Sequence, residues 1–423
     1  MISDFEFPSF EVEIKSLKQR LANARLPGSH LKLENEWEDG VPVSALTSLL
    51  SYWKDTYDFD GFEKRIRRHP QFHTLVNGID LHFVHKKSSD PNAIPILLIH
   101  GWPGSYLEFN EIVTQLSSSS DLQSFHVVVP SLPGYGFSSA PKERGFGCME
   151  MAKTLHQLMI KLGYSKYIAQ GGDWGSFISR AIAVSFPDSI IGIHLNMVVT
   201  LPPIVSFDTV KMLLAKLLGP KWVVSLGIMS RSDAAKLQNI ESNLLHETGY
   251  QFIQATKPST LGYSLSDSPI GLLSWIFEKF YTWGGSEKEK LVFTNEQILD
   301  HISLYWFTNC ISSSIRLYKE HMGSVEVLTL GSAYCTVPTS CSIYPGDVAA
   351  VPMSLAQKGF NVVRWNEKNF GGHFAAMEDP EGLVDDIRKS VMWFKAGNKP
   401  KRSHLGWWFS SAVLVSVLLI NYI

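Results

Sequence analysis

One aspartate stands where it could attack a substrate directly. Asp173 lies in the segment Gly171–Gly175, which reads Gly-Gly-Asp-Trp-Gly, between a short apolar run and a stretch with helical periodicity. Small residues on both sides of a nucleophile are typical of the sharp strand-to-helix turn that presents it at the edge of a sheet. Taken alone, the segment also fits a glycine-rich turn in which an aspartate caps a helix.

A histidine and a second acid follow later in the chain, and each comes just after a predicted strand. His373 lies in the glycine-rich segment Gly371–Ala376, and Asp347 ends the segment Tyr344–Asp347. A lone histidine in such a loop is usually structural, but the chain order nucleophile, acid, histidine is that of the α/β-hydrolase fold. The three residues together therefore predict a catalytic set.

Backbone donors for an oxyanion are expected next to these side chains. The loop His100–Ser105, which reads His-Gly-Trp-Pro-Gly-Ser, follows the apolar run Ile94–Ile99. In the α/β-hydrolase fold such a loop supplies one amide of the oxyanion hole, and the residue after the nucleophile supplies the other. We therefore predict that the backbone N–H groups of Trp102 and Trp174 form the hole. The alternative is an ordinary loop in which glycine and proline only shape the backbone.

An aspartate nucleophile restricts the chemistry. Unlike a serine, Asp173 is ionised near neutral pH, so no histidine has to remove a proton before it attacks. A carboxylate can displace a leaving group at an sp³ carbon and form an alkyl ester. His373, oriented by Asp347, can then activate water against the ester carbonyl, which the oxyanion hole serves. The sequence thus predicts a two-step hydrolysis of an alkylating substrate.

Two kinds of electrophile fit this chemistry. Opening an epoxide leaves an alkoxide, which requires an acid or a strong hydrogen-bond donor, whereas a halide leaves without one. Tyr250, in Glu-Thr-Gly-Tyr, and Tyr318, in Ile-Arg-Leu-Tyr-Lys-Glu, are candidate donors. Nothing in the residues alone separates them from the rest of the 14 tyrosines, so both electrophiles stay open at this point.

Short apolar runs that alternate with helical stretches predict the elements that position these groups. Such alternation indicates βαβ units and a mostly parallel sheet flanked by helices. The alternating stretch His73–His85, with Asn77-Gly78 in its middle, predicts a β-hairpin. Besides Ile94–Ile99, the predicted buried strands are Phe125–Val129, Tyr167–Ala169, Ile190–Leu195, Cys341–Tyr344 and Val362–Trp365.

The same pattern divides the chain into segments. We expect residues 1–75 to form an N-terminal helical arm, and residues 76–200 and 326–396 to form the two parts of the α/β core. Residues 201–325 are helical and aromatic without strand runs, which indicates a lid inserted over the ends of the strands. Residues 397–423 comprise a basic linker and an apolar tail.

Composition excludes several function classes. The formal net charge is −2 and no basic stripe is visible, so nucleic acid is not an expected partner. The four cysteines form no Cys-x-x-Cys pair and no Cys/His spacing of metal type, so neither a metal site nor a cofactor is expected. The N-terminal segment lacks the basic and apolar regions of a signal peptide.

The C-terminal segment Leu405–Ile423 has no charged residue and is close to the roughly 20 residues that span a bilayer as a helix. The Trp407-Trp408 pair and Tyr422 stand at its two ends, as interface aromatics do. The basic cluster Lys399–Arg402 would keep the catalytic part on the cytosolic side. We predict a single-pass anchor in a membrane, with the endoplasmic reticulum expected. The alternative, a buried core helix, would show a polar face.

With these motifs in order, the chain strongly resembles the microsomal-type epoxide hydrolases, which are α/β-hydrolase-fold enzymes with an N-terminal extension. The resemblance covers roughly residues 5–395, and a set of this size in one order is highly specific. Beyond the segments already quoted, the matching motifs include Arg25–Pro27, Tyr57–Phe59, Pro130–Ser138, Thr256–Thr260, Ser268–Leu272 and Glu278–Phe280.

The resemblance implies a role for each candidate residue. Asp173 matches the nucleophile, His373 the base that activates water, and Asp347 the acid that orients it. Tyr250 and Tyr318 match the lid tyrosines that donate hydrogen bonds to the epoxide oxygen. The expected reactants are a small apolar epoxide and water, in detoxification of xenobiotics or in secondary metabolism. A second copy of the chain is a candidate partner.

Two departures from the family and two alternative activities accompany this interpretation. The segment Arg65–Arg68 replaces what looks like a more apolar stretch in relatives, within the arm and away from the chemistry. Well-known microsomal members carry their anchor at the N-terminus, so the C-terminal anchor predicted here rests on the sequence pattern alone. A haloalkane- or haloacid-type dehalogenase would use the same nucleophile, and so would an enzyme that cyclises an epoxide with an internal hydroxyl.

Overall fold

A single mixed sheet organises the molecule, which the computed structural model describes over residues 1–26, 35–118, 123–200, 219–285 and 291–396 and at positions 214 and 217. Within these ranges the strands are β1 (Ser3–Asp4), β2 (Gln71–Val76), β3 (Ile79–Lys86), β4 (Ile94–Ile99), β5 (Phe125–Pro130), β6 (Tyr167–Gly171), β7 (Ile190–Leu195), β8 (Cys335–Ile343) and β9 (Phe360–Glu367). Their order across the sheet is β1-β2-β3-β5-β4-β6-β7-β8-β9.

The sheet is mostly parallel, as the sequence predicts for an α/β-hydrolase fold. Strands β4 to β9 run parallel to one another, and β1, β2 and β3 add an antiparallel edge beside β5. Ile96–Ile99 in β4 and Val127–Val129 in β5 have no exposed surface. Strands covered by helices on both faces read as continuous apolar runs, which is why these strands could be recognised in the sequence.

The predicted hairpin is formed by β2 and β3. The two strands pair in antiparallel register from Gln71 opposite Val84 to Val76 opposite Ile79. The turn residues Asn77 and Gly78 both have positive φ, at 49° and 75°. Asparagine followed by glycine accepts this left-handed backbone more readily than other pairs do, so the dipeptide fixes the turn and the strand register.

Helices cover both faces of the sheet. Along the arm and the first part of the core they are α1 (Glu11–Ala22), α2 (Val43–Asp55), α3 (Phe59–Ile66), α4 (Asn110–Ser117), α5 (Cys148–Lys161) and α6 (Asp173–Ser185). In α5, Met151, Leu155 and Leu158 are buried at spacings of four and three residues, which places them on one stripe. That stripe faces the core, and α5 packs beside α6.

The described residues between β7 and β8 are helical, without a strand. These lid helices are α7 (Pro220–Ser225), α8 (Arg231–His246), α9 (Gly249–Thr256), α10 (Pro258–Asp267), α11 (Pro269–Trp283), α12 (Asn295–Thr308), α13 (Ile311–Ser314), α14 (Arg316–Met322) and α15 (Glu326–Ser332). A capping box between Thr294 and Gln297 begins α12, and Asn309 in the left-handed region ends it. The remaining helices are α16 (Met353–Gly359), α17 (Ala375–Glu378) and α18 (Pro380–Lys395).

Three details differ from the sequence prediction. Strand β8 begins at Cys335, six residues before the predicted start at Cys341. The sequence does not indicate this first half as a strand because it contains Pro338 and polar residues, at a point where the register shifts. Proline argues against a strand in sequence-based reasoning, yet it is tolerated at such an irregularity. The arm is not purely helical, since Ser3–Asp4 pairs with β2 as an edge strand, and β2 itself begins at Gln71, inside the predicted arm.

The predicted membrane anchor, Leu405–Ile423, and the basic cluster before it lie outside the described residues. Among the helices that are described, none is both long enough and apolar enough to span a bilayer.

Candidate active site

The nucleophile candidate lies on a strained turn between a strand and a helix. Asp173 follows β6 by two residues, begins α6 and has a positive φ of 47°, which is uncommon for a residue other than glycine. A Cβ atom on Gly175 would lie 1.9 Å from the carbonyl oxygen of Ile99, and one on Gly171 would lie 2.3 Å from the carbonyl group of Gly175. The flanking glycines are therefore required by close backbone contacts, and the turn presents Asp173 at the carboxyl edge of the sheet.

Two backbone amides hold the Asp173 carboxylate. The N–H of Trp102 donates to Oδ1 at 2.7 Å, and the backbone N–H of Trp174 acts on the same carboxylate and lowers its pKa. Burial raises the pKa of Asp173, while the positive charge of His373 and these two amides act in the opposite direction. Both predicted oxyanion-hole donors thus lie at the carboxylate that would become the ester carbonyl.

His373 lies between the two predicted acids. Its Nδ1 atom is 2.7 Å from Oδ1 of Asp347, and its Nε2 atom is 3.6 Å from Oδ2 of Asp173. The backbone N–H of His373 donates to the carbonyl oxygen of Trp283 at the end of α11, and the N–H of Val348 donates to Oδ1 of Asp347. The imidazole is therefore fixed from the core and from the lid, with Nε2 directed at the Asp173 carboxylate.

The charge of the imidazole depends on its neighbours. Burial lowers the pKa of His373, but the charge and hydrogen bond of Asp347 and the charges of Asp173 and Glu108 outweigh it and raise the pKa to about 9. Near neutral pH the histidine is thus a cation beside the Asp173 carboxylate. Any reaction that neutralises Asp173 removes one of the charges that hold this proton, so the histidine becomes a better base.

The two predicted lid tyrosines come together above the tryptophans that hold the nucleophile. Tyr250 on α9 and Tyr318 on α14 are buried, with ring centroids 5.8 Å apart. Tyr250 stacks on Trp102 at 5.5 Å, and Tyr318 meets Trp174 edge-on at 4.8 Å. The lid helices thus bring both phenols to the two residues whose amides bond Asp173.

Both phenols are set up as hydrogen-bond donors. Burial, with the charge of Asp173 adding to it, raises the pKa of Tyr250 and of Tyr318, so each keeps its proton well above neutral pH. The Tyr250 oxygen accepts a hydrogen bond from Nε2 of Gln251 at 2.9 Å, which leaves its own hydrogen to donate. The buried Tyr318 hydroxyl has no hydrogen-bond partner among the described residues. Unsatisfied buried hydroxyls are costly, so this group is well placed to bond a ligand.

Helix α12 contacts the loop His100–Ser105 from the lid side; this loop carries the predicted oxyanion donor Trp102 and is called the oxyanion loop below. Nδ1 of His301 lies 3.0 Å from Oγ of Ser105, and the hydroxyl of Tyr305 donates to the carbonyl oxygen of Gly104 at 2.8 Å. All four of these residues are buried. The loop that supplies the Trp102 amide is consequently fixed by a helix distant in sequence, which a local pattern could not indicate.

The opposite side of α12 contacts the N-terminal arm. Arg65 donates two hydrogen bonds to the carboxylate of Asp300, at 2.6 and 2.7 Å, and the Tyr57 hydroxyl donates to the same carboxylate at 2.5 Å. The Trp53 indole donates to Oγ of Ser303 at 3.0 Å. Arg65 thus connects the arm to the helix that holds the loop His100–Ser105.

Comparison with known proteins addresses the identity of the whole chain. Residues 2–109 match the family model described as epoxide hydrolase N terminus, and residues 94–219 match the alpha/beta hydrolase fold model. The juvenile hormone epoxide hydrolase of Bombyx mori is 37% identical, over 93% of this chain and 87% of its own length. Epoxide hydrolase 1 of Sus scrofa is 35% identical, over 92% and 88%. The chain belongs to the microsomal-type epoxide hydrolase family.

Solved structures support the same assignment. The crystal structure of the Bombyx mori juvenile hormone epoxide hydrolase matches this epoxide hydrolase with a TM-score of 0.84 at 36% identity, covering 94% of this chain and 95% of that one. The Aspergillus niger epoxide hydrolase matches with a TM-score of 0.80 at 32% identity, covering 93% and 96%. Relatives at this identity over most of both chains make the protein an enzyme that hydrolyses epoxides, and its reactants are an epoxide and water.

The structure also brings residues to the site of this epoxide hydrolase that the sequence did not single out. Trp283 packs against the His373 ring, with centroids 5.0 Å apart, and Glu108 lines a cavity together with Asp173 and His373. No sequence signal marked Trp283 among 12 tryptophans. Glu108 had one usable signal, because it is a carboxylate in the otherwise apolar stretch Tyr106–Phe109 directly after the oxyanion loop.

Proposed function

We propose that the enzyme converts an apolar epoxide and water into a vicinal diol through an alkyl ester on Asp173. The observation that carries the proposal is the placement of the partly buried Asp173 carboxylate, which accepts the Trp102 N–H and lies 3.6 Å from a histidine, in one aromatic enclosure with two buried phenols. A carboxylate nucleophile, a water-activating base and donors for an alkoxide are the three groups that epoxide opening by this route requires.

In the first half-reaction, Asp173 attacks one carbon of the epoxide ring. A new bond forms between that carbon and a carboxylate oxygen, while the bond between the carbon and the epoxide oxygen breaks. Tyr250 and Tyr318 donate hydrogen bonds to the departing oxygen, and one of them transfers its proton to it. The products are a hydroxyalkyl ester of Asp173 and one tyrosinate.

In the second half-reaction, His373 activates water. Esterification has removed the negative charge of Asp173, so the imidazolium of the free enzyme loses its proton to the tyrosinate and becomes a neutral base. Asp347 stabilises the imidazolium that forms again when His373 takes a proton from water. The water oxygen bonds to the Asp173 carbonyl carbon, and the N–H groups of Trp102 and Trp174 stabilise the oxyanion. The alkyl oxygen then takes the imidazolium proton and leaves as part of the diol, and the new Asp173 carboxyl group gives its proton to His373, which restores the charged pair.

The choice of an apolar substrate rests on the walls of the enclosure. Trp102, Trp283 and the rings of the two tyrosines surround the reacting groups, and aromatic surface favours an apolar ligand with few polar contacts. We propose the same enclosure as the binding site for the organic part of the epoxide.

The experiment that tests this function compares two electrophiles with the purified enzyme. Styrene oxide should give its diol, and chlorinated alkanes should release no halide. Asp173→Ala should abolish diol formation. Lys389→Gln, which changes an exposed side chain on α18, is the control and should not alter diol formation. Halide release without diol formation would support the dehalogenase alternative, and a cyclic ether formed from a hydroxy-epoxide without any diol would support the cyclase alternative.

We further propose that Leu405–Ile423 anchors the catalytic part to a membrane. The support is the uncharged length of this segment, its terminal aromatics and the basic cluster before it. Deletion after residue 397 should yield an active enzyme that stays in the supernatant after membranes are sedimented, whereas the full chain should sediment with them. A full chain found in the supernatant, or a truncated chain found with the membranes, would refute the anchor.

A further inference from the structure

A small cavity adjoins the nucleophile on the side of the histidine. Its volume is about 10 Å³, close to the smallest space that can hold one water molecule. The groups able to react with or hydrogen-bond a water in this cavity come from four separate parts of the chain. They include Asp173, His373, Glu108 and Asn196.

Glu108 is the acidic side chain in this cavity that the reaction steps described above do not use. It lies in the 3-10 turn Tyr106–Phe109, which follows the oxyanion loop. Its Oε1 atom fills the space beside Gly104. A Cβ atom added to Gly104 would lie only 1.5 Å from this oxygen. A larger residue at position 104 would therefore displace the carboxyl group, and the nearby backbone N–H of Ser105 acts to lower the pKa of this carboxyl group. The carboxyl group is positioned from its own loop.

The environment of Glu108 differs from that of Glu378, a second partly buried glutamate near the histidine. Both oxygens of Glu378 accept backbone N–H groups, from Gly285 at 2.6 Å and from Phe374 at 2.9 Å, so its bonding capacity serves the loop structure. Glu108 takes part in no ion pair among the described residues. Burial, with the charge of Asp173 adding to it and that of His373 opposing it, raises the pKa of Glu108 to about 8.

We propose that Glu108 is a further catalytic residue, whose carboxyl oxygen accepts a hydrogen bond from the water that hydrolyses the Asp173 ester. One hydrogen of that water then bonds Glu108 and the other bonds Nε2 of His373, which orients a lone pair of the water oxygen towards the ester carbon. The inference rests on the proposed ester mechanism. A carboxyl group has an acceptor oxygen whether or not it is protonated, so this role does not require Glu108 to change its charge.

The step balances without a proton on Glu108. His373 takes one hydrogen of the water as the water oxygen bonds to the carbonyl carbon of Asp173. The bond from that carbon to the alkyl oxygen breaks next, and the alkyl oxygen takes the proton that His373 received from the water and leaves as part of the diol. Glu108 keeps its hydrogen bond to the other water hydrogen throughout, so its contribution is orientation of the attacking water.

The test separates the two half-reactions in single turnovers of the full enzyme with styrene oxide, with the ester followed by intact mass. In Glu108→Leu we expect ester formation to stay within about threefold of the wild type, and ester hydrolysis to slow by about 100-fold, the scale of a misplaced reactant. The ester should then accumulate during turnover. Glu108→Gln retains an acceptor oxygen, so it should slow hydrolysis less than the leucine variant does.

Matched controls keep a structural effect apart from the proposed one. Glu111→Gln changes an exposed glutamate on the neighbouring helix α4 and should leave both half-reactions unchanged. Where Glu108→Leu does not fold, Glu108→Asp withdraws the carboxyl group by one methylene and should again slow hydrolysis alone. Equal slowing of both half-reactions, or hydrolysis at the wild-type rate, would overturn the role of Glu108. Absence of any ester, even in His373→Gln, would instead refute the ester mechanism itself.

Discussion

The Nε2 atom of His373 lies 3.6 Å from Oδ2 of Asp173, so the proposed base and the proposed nucleophile face one another without a tight hydrogen bond. The pair is charged in the free enzyme, because the surrounding carboxylates raise the pKa of His373 to about 9. Alkylation of Asp173 removes one of these charges and leaves the histidine beside a neutral ester. The same geometry therefore supports attack in one step and proton abstraction in the next.

Substitution of the histidine should separate these steps. In His373→Gln the carboxylate is still present and still held by the Trp102 and Trp174 amides, so the ester should form, but no base remains to hydrolyse it. We expect the intact mass of this variant to increase by the mass of one epoxide and multiple turnover to cease. An Asp173→Ala/His373→Gln double variant is the control and should gain no mass. A His373→Gln enzyme that turns over normally would contradict the role of the histidine.

The pH dependence of ester formation should shift in the same variant. The positive charge of His373 lowers the pKa of Asp173 against the effect of burial, so removing that charge raises this pKa. Because the carboxylate is the nucleophile, its attack is lost as the pH falls through the Asp173 pKa. The acid limb of the ester-formation rate should therefore lie at higher pH in His373→Gln than in the wild type. An acid limb that stays in place or moves to lower pH would show that the two groups are not coupled.

The lid tyrosines should affect only the opening of the epoxide. Loss of one hydrogen-bond donor to a developing oxyanion costs roughly 100-fold in rate, so Tyr250→Phe and Tyr318→Phe should each slow ester formation on that scale. Hydrolysis of an ester that has already formed should change much less. Tyr263→Phe is the matched control, since this tyrosine on α10 is exposed. Unchanged ester formation in both single variants and in the double variant would remove the basis for choosing an epoxide over a halide.

The contact between the arm and the lid should contribute measurably to stability. Asp300→Asn leaves Arg65 without its charge partner, and we expect the free energy of unfolding to fall by roughly 2 kcal/mol, between the values typical of exposed and of buried pairs. Chemical denaturation of the full chain, or of the chain deleted after residue 397, measures this free energy of unfolding. Lys389→Gln, which breaks an exposed pair with Asp385 on α18, should change stability by less than about 0.5 kcal/mol. A similar small loss for Asp300→Asn would indicate that this ion pair contributes little to holding the arm on the lid.

Much of the fold and part of the site could be predicted from the sequence for local reasons. Close backbone contacts require glycine at positions 171 and 175 beside Asp173, so these glycines indicate the turn directly in the sequence. Apolar strands buried on both faces and the Asn77-Gly78 turn are similarly local signals. By contrast, the first half of β8 was missed because Pro338 and polar side chains occupy an irregular stretch of the ladder.

The rest of the site depends on tertiary structure. Tyr250 and Tyr318 belong to two lid helices that meet only in the folded chain, and their proposed roles came from the family resemblance rather than from spacing. His301 and Tyr305 hold the oxyanion loop from a helix that is far away in sequence. Glu108 acquires its importance from a cavity that no local pattern encodes. Contacts between segments that are far apart in the chain leave no periodic pattern in a single sequence, so they could not be predicted from it.

The ester on Asp173 is the central claim, and a single turnover in ¹⁸O-labelled water tests it most directly. With enzyme in excess over styrene oxide, the oxygen added to the first diol comes from the unlabelled Asp173 carboxylate, and the label should appear in Asp173 itself. Peptide mass analysis of the segment that contains Asp173 and mass analysis of the diol measure both products. Label in the first diol, with none in Asp173, would contradict the ester mechanism, because water would then have attacked the epoxide directly.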